Sequence, residues 1–217
     1  MNNFRFIVGE LRQGKSLARA LFNTELSRLR ITGAVLDVGG GKHRDYLAIM
    51  DTGGVTSMQS ADLIAEGSGA HRVDFETDQL PFPDGTFDTV LAFNIFEHIF
   101  NYTHLVAETR RVLKPGGRLI GFVPFLVNYH PDPHDYFRYT KESLKEILTR
   151  AGFSEVVIRE VGRGPFAVNY NNLMLSLPRI VRLIAFPFWY ALDALYLLLR
   201  PNITSRYPLG YLFFAKA

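Results

Sequence analysis

The chain contains no cysteine. That excludes a disulfide framework, a cysteine nucleophile and any thiolate metal site, and it fits a reducing, cytoplasmic compartment. Internal repeats and low-complexity tracts are absent as well, so neither a solenoid nor a disordered array is expected. Arg5, Glu10 and Arg12 interrupt the N-terminus before any apolar run reaches the length of a secretory h-region, so no leader is expected. Charged residues make up 21% and hydrophobic residues 47% of the 217 positions, enough to build a substantial core.

The net charge of +3 conceals an uneven distribution. Residues 1–30 carry +4, residues 31–158 carry −6 and residues 159–217 carry +5. An acidic middle therefore lies between two basic ends.

Leu11, Ala18, Phe22, Leu26 and Leu29 form one apolar stripe, which predicts a helix over 10–30. Gly33 ends it, and Ala34–Val38 reads as a buried strand. Further strands are expected at 55–60, 71–75, 89–93, 119–123, 155–161 and 211–216. Helices are expected at 105–113 and 141–151, the second capped by Thr140 and stopped by Gly152. Strands separated by helices predict an α/β fold with a mainly parallel sheet covered on both faces. The expected organisation is a helical segment at 1–32 and a domain at 33–217 with a helical insert at 165–206.

The strongest local signal is Leu36-Asp37-Val38-Gly39-Gly40-Gly41. A buried strand runs straight into three glycines, at the end of the sheet where open α/β folds bind ligands. Asp62 follows the second expected strand and Asp74 ends the third. Acids at these strand ends suit a ribose and an adenine amino group. A nicotinamide-type fingerprint would require a third glycine where Arg44 stands.

Four segments in register carry a family resemblance: Asp37–Gly41, Leu80–Asp88, Glu97-His98 and Arg111–Gly117. The sequence resembles the class I S-adenosylmethionine-dependent methyltransferases, of the methyltransferase type 11-like branch, across roughly 35–161. The resemblance implies a Rossmann-like seven-stranded sheet with an antiparallel last strand and S-adenosyl-L-methionine as cofactor. It implies Asp37, Gly39 and Gly41 at the methionine end, Asp62 at the ribose, Asp74 and Phe75 beside the adenine, and Asn94 beneath the cofactor. Lys42-His43 departs from the pattern, because many relatives carry another glycine there. Pro83-Asp84 and Lys114–Gly117 read as structural.

Methyl transfer from a sulfonium needs positioning above all, and a base only where the acceptor must lose a proton. His98 and His134 are the candidate catalytic groups. His130, Asp135, Tyr136 and Arg138 belong to a polar loop, Asn128–Thr140, suited to a polar or anionic acceptor. Arg138 is expected to pair with Asp135. No metal site is expected, because prolines at 131 and 133 favour an extended chain that sets His130 and His134 about 12 Å apart.

About fifty residues separate the last two strands. They include a run at 173–200 broken by Pro178 and Pro187. A membrane span is not expected there: Asp193 is costly in a bilayer, the twelve residues after Pro187 are too few, and the final strand must return to the sheet. Three readings remain: a buried helical cap, a homodimer interface, or a peripheral contact with the inner face of a membrane. The expected function is methyl transfer to a small-molecule, glycan or lipid-linked acceptor, the alternative being a non-catalytic binding or scaffold protein. Nucleic acid is not the expected partner, because the core is acidic and no N/D-P-P-Y/F motif is present.

Overall fold

The computed structural model describes residues 3–41, 44–64 and 67–217, so the Lys42-His43 departure lies outside the described residues. The strands are β1 (Arg30–Val38), β2 (Asp51–Asp62), β3 (Ala70–Arg72), β4 (Phe87–Phe93), β5 (Leu113–Pro124), β6 (Ser154–Gly162) and β7 (Pro208–Lys216). They form one sheet in the order β3-β2-β1-β4-β5-β7-β6. The first five pair in parallel. β7 runs against β5: Gly116 N donates to Ala217 O, whereas Phe125 N donates to Leu209 O, so rising numbers meet falling ones. This is the expected Rossmann-like sheet with its reversed last strand. Val35–Val38 of β1 and Thr89–Phe93 of β4 are buried, as strands covered on both faces must be.

The helices are α1 (Asn3–Arg12), α2 (Leu17–Leu26), α3 (Tyr102–Val112), α4 (Lys141–Arg150), α5 (Pro165–Met174) and α6 (Arg179–Leu199). Thr140 caps α4 as expected, its side chain accepting from Ser143 N.

The chain forms two compact units. One gathers Met1–Arg28, Phe125–Asn128 and Glu160–Tyr211, and the other Leu29–Pro124, Tyr129–Arg159 and Leu212–Ala217. In the first, Ile7, Leu11, Leu17 and Ala20 of the N-terminal helices share a core with Ala167, Tyr170, Met174 and Phe186 of the insert.

Several expectations are corrected. The helix foreseen over 10–30 is two helices, because Gly14 takes φ +91° and Ser16 caps a new start by accepting from Arg19 N. The third strand stops at Arg72, not at Phe75, since Asp74 and Asp78 fold the chain into a turn. The insert does not break at Pro187. α6 runs through it for 21 residues, about 31 Å. The shortness argument against a membrane span therefore fails, and α6 is long and apolar enough by length and composition to cross one. The return of β7 to the sheet beside β6 still stands against a simple crossing. The buried-cap reading also fails, because only 11% of the apolar window of α6 is buried.

Candidate active site

β1 delivers Asp37, fully buried, to the glycine turn. Gly39 N donates to Ala61 O at 2.8 Å, which folds the turn over the end of β2. Space there is scarce. A Cβ on Gly39, whose φ is +75°, would lie 2.9 Å from Ile95 Cδ1, and a Cβ on Gly40 would lie 2.4 Å from Asp37 Oδ2. The glycines thus leave a bare backbone cradle. Asp37 Oδ2 accepts from the Tyr46 hydroxyl, while Oδ1 is buried with no hydrogen-bond partner among the described residues. Burial pushes the Asp37 carboxyl up to about 6, against the opposing pull of the Tyr46 hydrogen bond and the Arg44 charge. An unsatisfied buried acceptor beside a side-chain-free turn suits a cationic ligand end, such as the ammonium of a methionine moiety. The residues present therefore fit S-adenosylmethionine.

Asp62 ends β2. Its Oδ2 lies 3.3 Å from where a Cβ on Gly41 would sit, and its Oδ1 accepts from Ile64 N. Asn94 follows β4 with φ +52°, and its N–H donates to Phe122 O at 2.9 Å. The fold therefore brings Asp62 to the turn and sets Asn94 one residue before Ile95, whose side chain fills the space a Cβ on Gly39 would take. Asp74 is exposed, and its carboxylate accepts from Glu76 N. Phe75 is buried. No hydrogen bond or ion pair among the described residues joins these two to the glycine turn.

The loop after β5 docks on the segment after β4. Tyr136 N donates to Glu97 O at 2.8 Å, and the buried Tyr139 hydroxyl donates to Phe96 O at 3.0 Å. Arg138 forks onto Asp135, the pairing expected from the sequence. That guanidinium holds the Asp135 carboxyl down at about 2. His98 Nδ1 donates to the His134 carbonyl, so His134 meets His98 through its backbone. The His134 ring lies against Tyr136. His98 and His130 meet edge to face, with ring centroids 5.4 Å apart.

Two motifs prove to be one brace. Arg111 on α3 donates to Leu80 O, Phe82 O, Asp84 and Glu108. It thereby locks the Leu80–Asp88 segment to the helix ahead of β5.

Sequence reasoning missed Tyr46, Gly40 and the depth of Glu97. Tyr46 sits in a short 3₁₀ turn with no periodicity to reveal it. Glu97 carried a signal, an acid within the otherwise apolar stretch Ile95–Phe100 broken only by it and His98.

A parallel sheet with a reversed final strand, and a glycine turn at the carboxyl end of its first strand, is a Rossmann-like arrangement with a ligand site at the strand ends. Residues 36–121 match the family described as "Methyltransferase domain". That match, together with the fold, supports a class I S-adenosylmethionine-dependent methyltransferase. The chain is 32% identical over 81 residues to a probable S-adenosylmethionine-dependent methyltransferase of Mycolicibacterium smegmatis, a match covering 35% of this chain and only 32% of that relative. It is 25% identical over 194 residues to a ubiquinone/menaquinone biosynthesis C-methyltransferase of Pseudomonas fluorescens, covering 68% of this chain and 75% of that one. Among solved structures, a SAM-dependent methyltransferase from Archaeoglobus fulgidus superposes with a TM-score of 0.60 at 19% identity, covering 92% and 94% of the two chains. Phosphoethanolamine N-methyltransferase 2 of Haemonchus contortus, in complex with S-adenosyl-L-methionine, gives 0.55 at 15% identity, covering 90% of this chain and 52% of that one.

Proposed function

We propose that this protein transfers the methyl group of S-adenosylmethionine to an acceptor borne at a membrane surface. When bound, the cofactor supplies an electrophilic methyl on a sulfonium that departs as a neutral thioether. Asp37, Gly39 and Gly41 hold the methionine end, Asp62 the ribose, Asp74 and Phe75 the adenine, and Asn94 supports the cofactor from β4. On the acceptor side, His130 and Tyr136 line the approach, and Asp135 with Arg138 fixes the loop that carries them. His98 stands at the acceptor end after β4, oriented by the bond from its Nδ1–H to the His134 carbonyl. His134 positions it.

The observation that carries the choice of acceptor is α6. At 100° per residue, Ile180, Ile184, Phe188, Leu195 and Leu198 fall on one face, and they are 64%, 73%, 59%, 59% and 81% exposed. That stripe is wholly apolar and about 27 Å long, whereas the opposite side holds the buried Phe186 and Asp193. Exposed apolar surface on this scale marks an interaction site. Asp193 accepts from Phe166 N and Ala167 N at 3.0 and 2.7 Å, which ties α6 to α5 and favours a helix lying along a bilayer over one crossing it. Arg179 and Arg200 stand at its two ends. Antiparallel pairing with a second copy would set Arg179 against Arg200, cation against cation. An anionic headgroup layer complements both. The quinone-biosynthesis C-methyltransferase among the relatives is consistent with an apolar acceptor.

Calorimetry tests the cofactor reading: S-adenosylmethionine binding is expected for the intact protein and lost in Gly39→Arg and Asp37→Ala. Folded protein that takes up none overturns it. Sedimentation with phosphatidylserine-containing vesicles tests the acceptor reading. Binding is expected at low salt and should fall at least tenfold in Ile184→Glu or Leu198→Glu. No sedimentation, or a dimer that conceals the stripe, overturns the membrane reading.

A further inference from the structure

Glu97 is fully buried, and neither carboxylate oxygen has a hydrogen-bond partner among the described residues. Two imidazoles face it. His98 Nε2 lies 3.7 Å and His130 Nε2 3.9 Å from the same oxygen, Oε1. One ligand atom from each of the three residues lies within 4.8 Å of the others. The tautomer of His98 sharpens the arrangement. Its Nδ1 contacts the His134 carbonyl, which can only accept, so Nδ1 carries the proton. In the neutral ring Nε2 then aims a lone pair at a carboxylate oxygen. Two electron-rich atoms facing each other in a dry site repel unless a cation or a proton lies between them. Their separations are too long for hydrogen bonds and slightly exceed the roughly 3.4 Å edge of a tetrahedron with bonds of about 2.1 Å.

We propose that Glu97, His98 and His130 bind one first-row divalent transition-metal ion. Two imidazoles select the zinc, cobalt and iron(II) group over magnesium or calcium. The outer partner of His98 matches that of a metal-bound histidine. The His134 carbonyl orients His98, whereas ligation by His130 requires its ring proton to move from Nε2 to Nδ1, where Asp135 Oδ2 lies 3.6 Å away. In the ion-free protein Arg138 Nη2, which also holds Asp135, donates to that Nδ1 at 3.3 Å. The half-exposed His130 leaves a path of entry. The extended-chain argument against a metal compared His130 with His134, but the fold gives His130 a different partner, thirty-three positions away in sequence. Three protein ligands leave a place for water or an acceptor oxygen, whose proton the ion would loosen. That role rests on the methyl-transfer reading; ion binding does not.

The test is titration of the full chain with cobalt(II) after chelator dialysis, without cofactor, followed by visible absorption. One equivalent is expected to give the d–d bands of a nitrogen and oxygen site. His130→Ala and Glu97→Gln should each weaken uptake at least tenfold, while His71→Ala, in β3, leaves it unchanged. His130→Ala alters a half-exposed side chain, so it keeps the test decisive should Glu97→Gln fail to fold. Folded protein with no saturable uptake overturns the proposal, as does undiminished uptake by His130→Ala. Nitrogen NMR that finds both ring nitrogens of His98 protonated in protein that takes up no metal also overturns it, with a proton as the occupant. Cofactor calorimetry on the same sample keeps a failure here separate from a failure of the methyl-transfer reading.

Discussion

Tyr46 donates its phenol proton to Asp37 Oδ2, and both side chains are buried. The bond joins the end of β1 to the 3₁₀ turn beyond the glycines, so the cofactor cradle is braced from within. Tyr46→Phe would remove a bond that favours the charged carboxylate, raising the Asp37 pKa further. A hydrogen bond to a charged group contributes about 1.5–3 kcal/mol, so cofactor affinity at neutral pH should fall roughly ten- to a hundredfold. Calorimetry across pH checks this, and the deficit should shrink as pH rises.

Asp37 sets a pH dependence whose sign follows from its raised pKa. Below 3.8 the group is protonated folded and unfolded, and burial costs little. Between 3.8 and about 6 the unfolded chain gives up its proton first, so stability falls as pH rises. Above about 6 the full penalty is present, on the order of 3 kcal/mol. Asp37→Asn should therefore stabilise the cofactor-free protein at pH 7.5 and flatten the decline above pH 4 while abolishing cofactor binding. Urea unfolding at the two pH values measures the first effect.

Two glycines separate site from core. A Cβ on Gly121 would lie 2.0 Å from Phe213 Cζ, in the packed interior. Gly121→Ala should cost about 1–3 kcal/mol of stability. A Cβ on Gly40 meets the Asp37 carboxylate, and Gly40→Ala should cost cofactor affinity tenfold or more with a smaller change in stability. Thermal melts paired with calorimetry distinguish the two.

Asp193 is a buried carboxylate that caps the first turn of α5 through two backbone N–H groups. Asp193→Ala strands both donors and should destabilise the protein by about 1–3 kcal/mol. Proteolysis should then quicken within Pro165–Leu199 before it does elsewhere.

Much of this architecture was legible one element at a time. Asp37–Gly41 announced itself because a buried strand that ends in glycines is a local event, and Thr140 announced the start of α4 for the same reason. The parallel order followed from alternating strand and helix patterns. The path of α6 through Pro187 was not legible. Proline costs a helix one hydrogen bond locally, about 3 kcal/mol, and only packing of Phe186 and the Asp193 anchor on one side of the helix can offset it. The stop of β3 at Arg72 was missed for a similar reason, since a turn closed by Asp74 and Asp78 outweighed strand propensity.

By itself, the sequence determined what depends on near neighbours: the strands, the glycine turn, the caps, the Asp135–Arg138 pair and the family these residues resemble. Tertiary structure alone decided which apolar residues of α6 are left bare, and that His130 rather than His134 faces Glu97 beside His98. Such meetings join residues far apart in the chain, and a chain's pattern carries no record of which distant groups its folding will desolvate together.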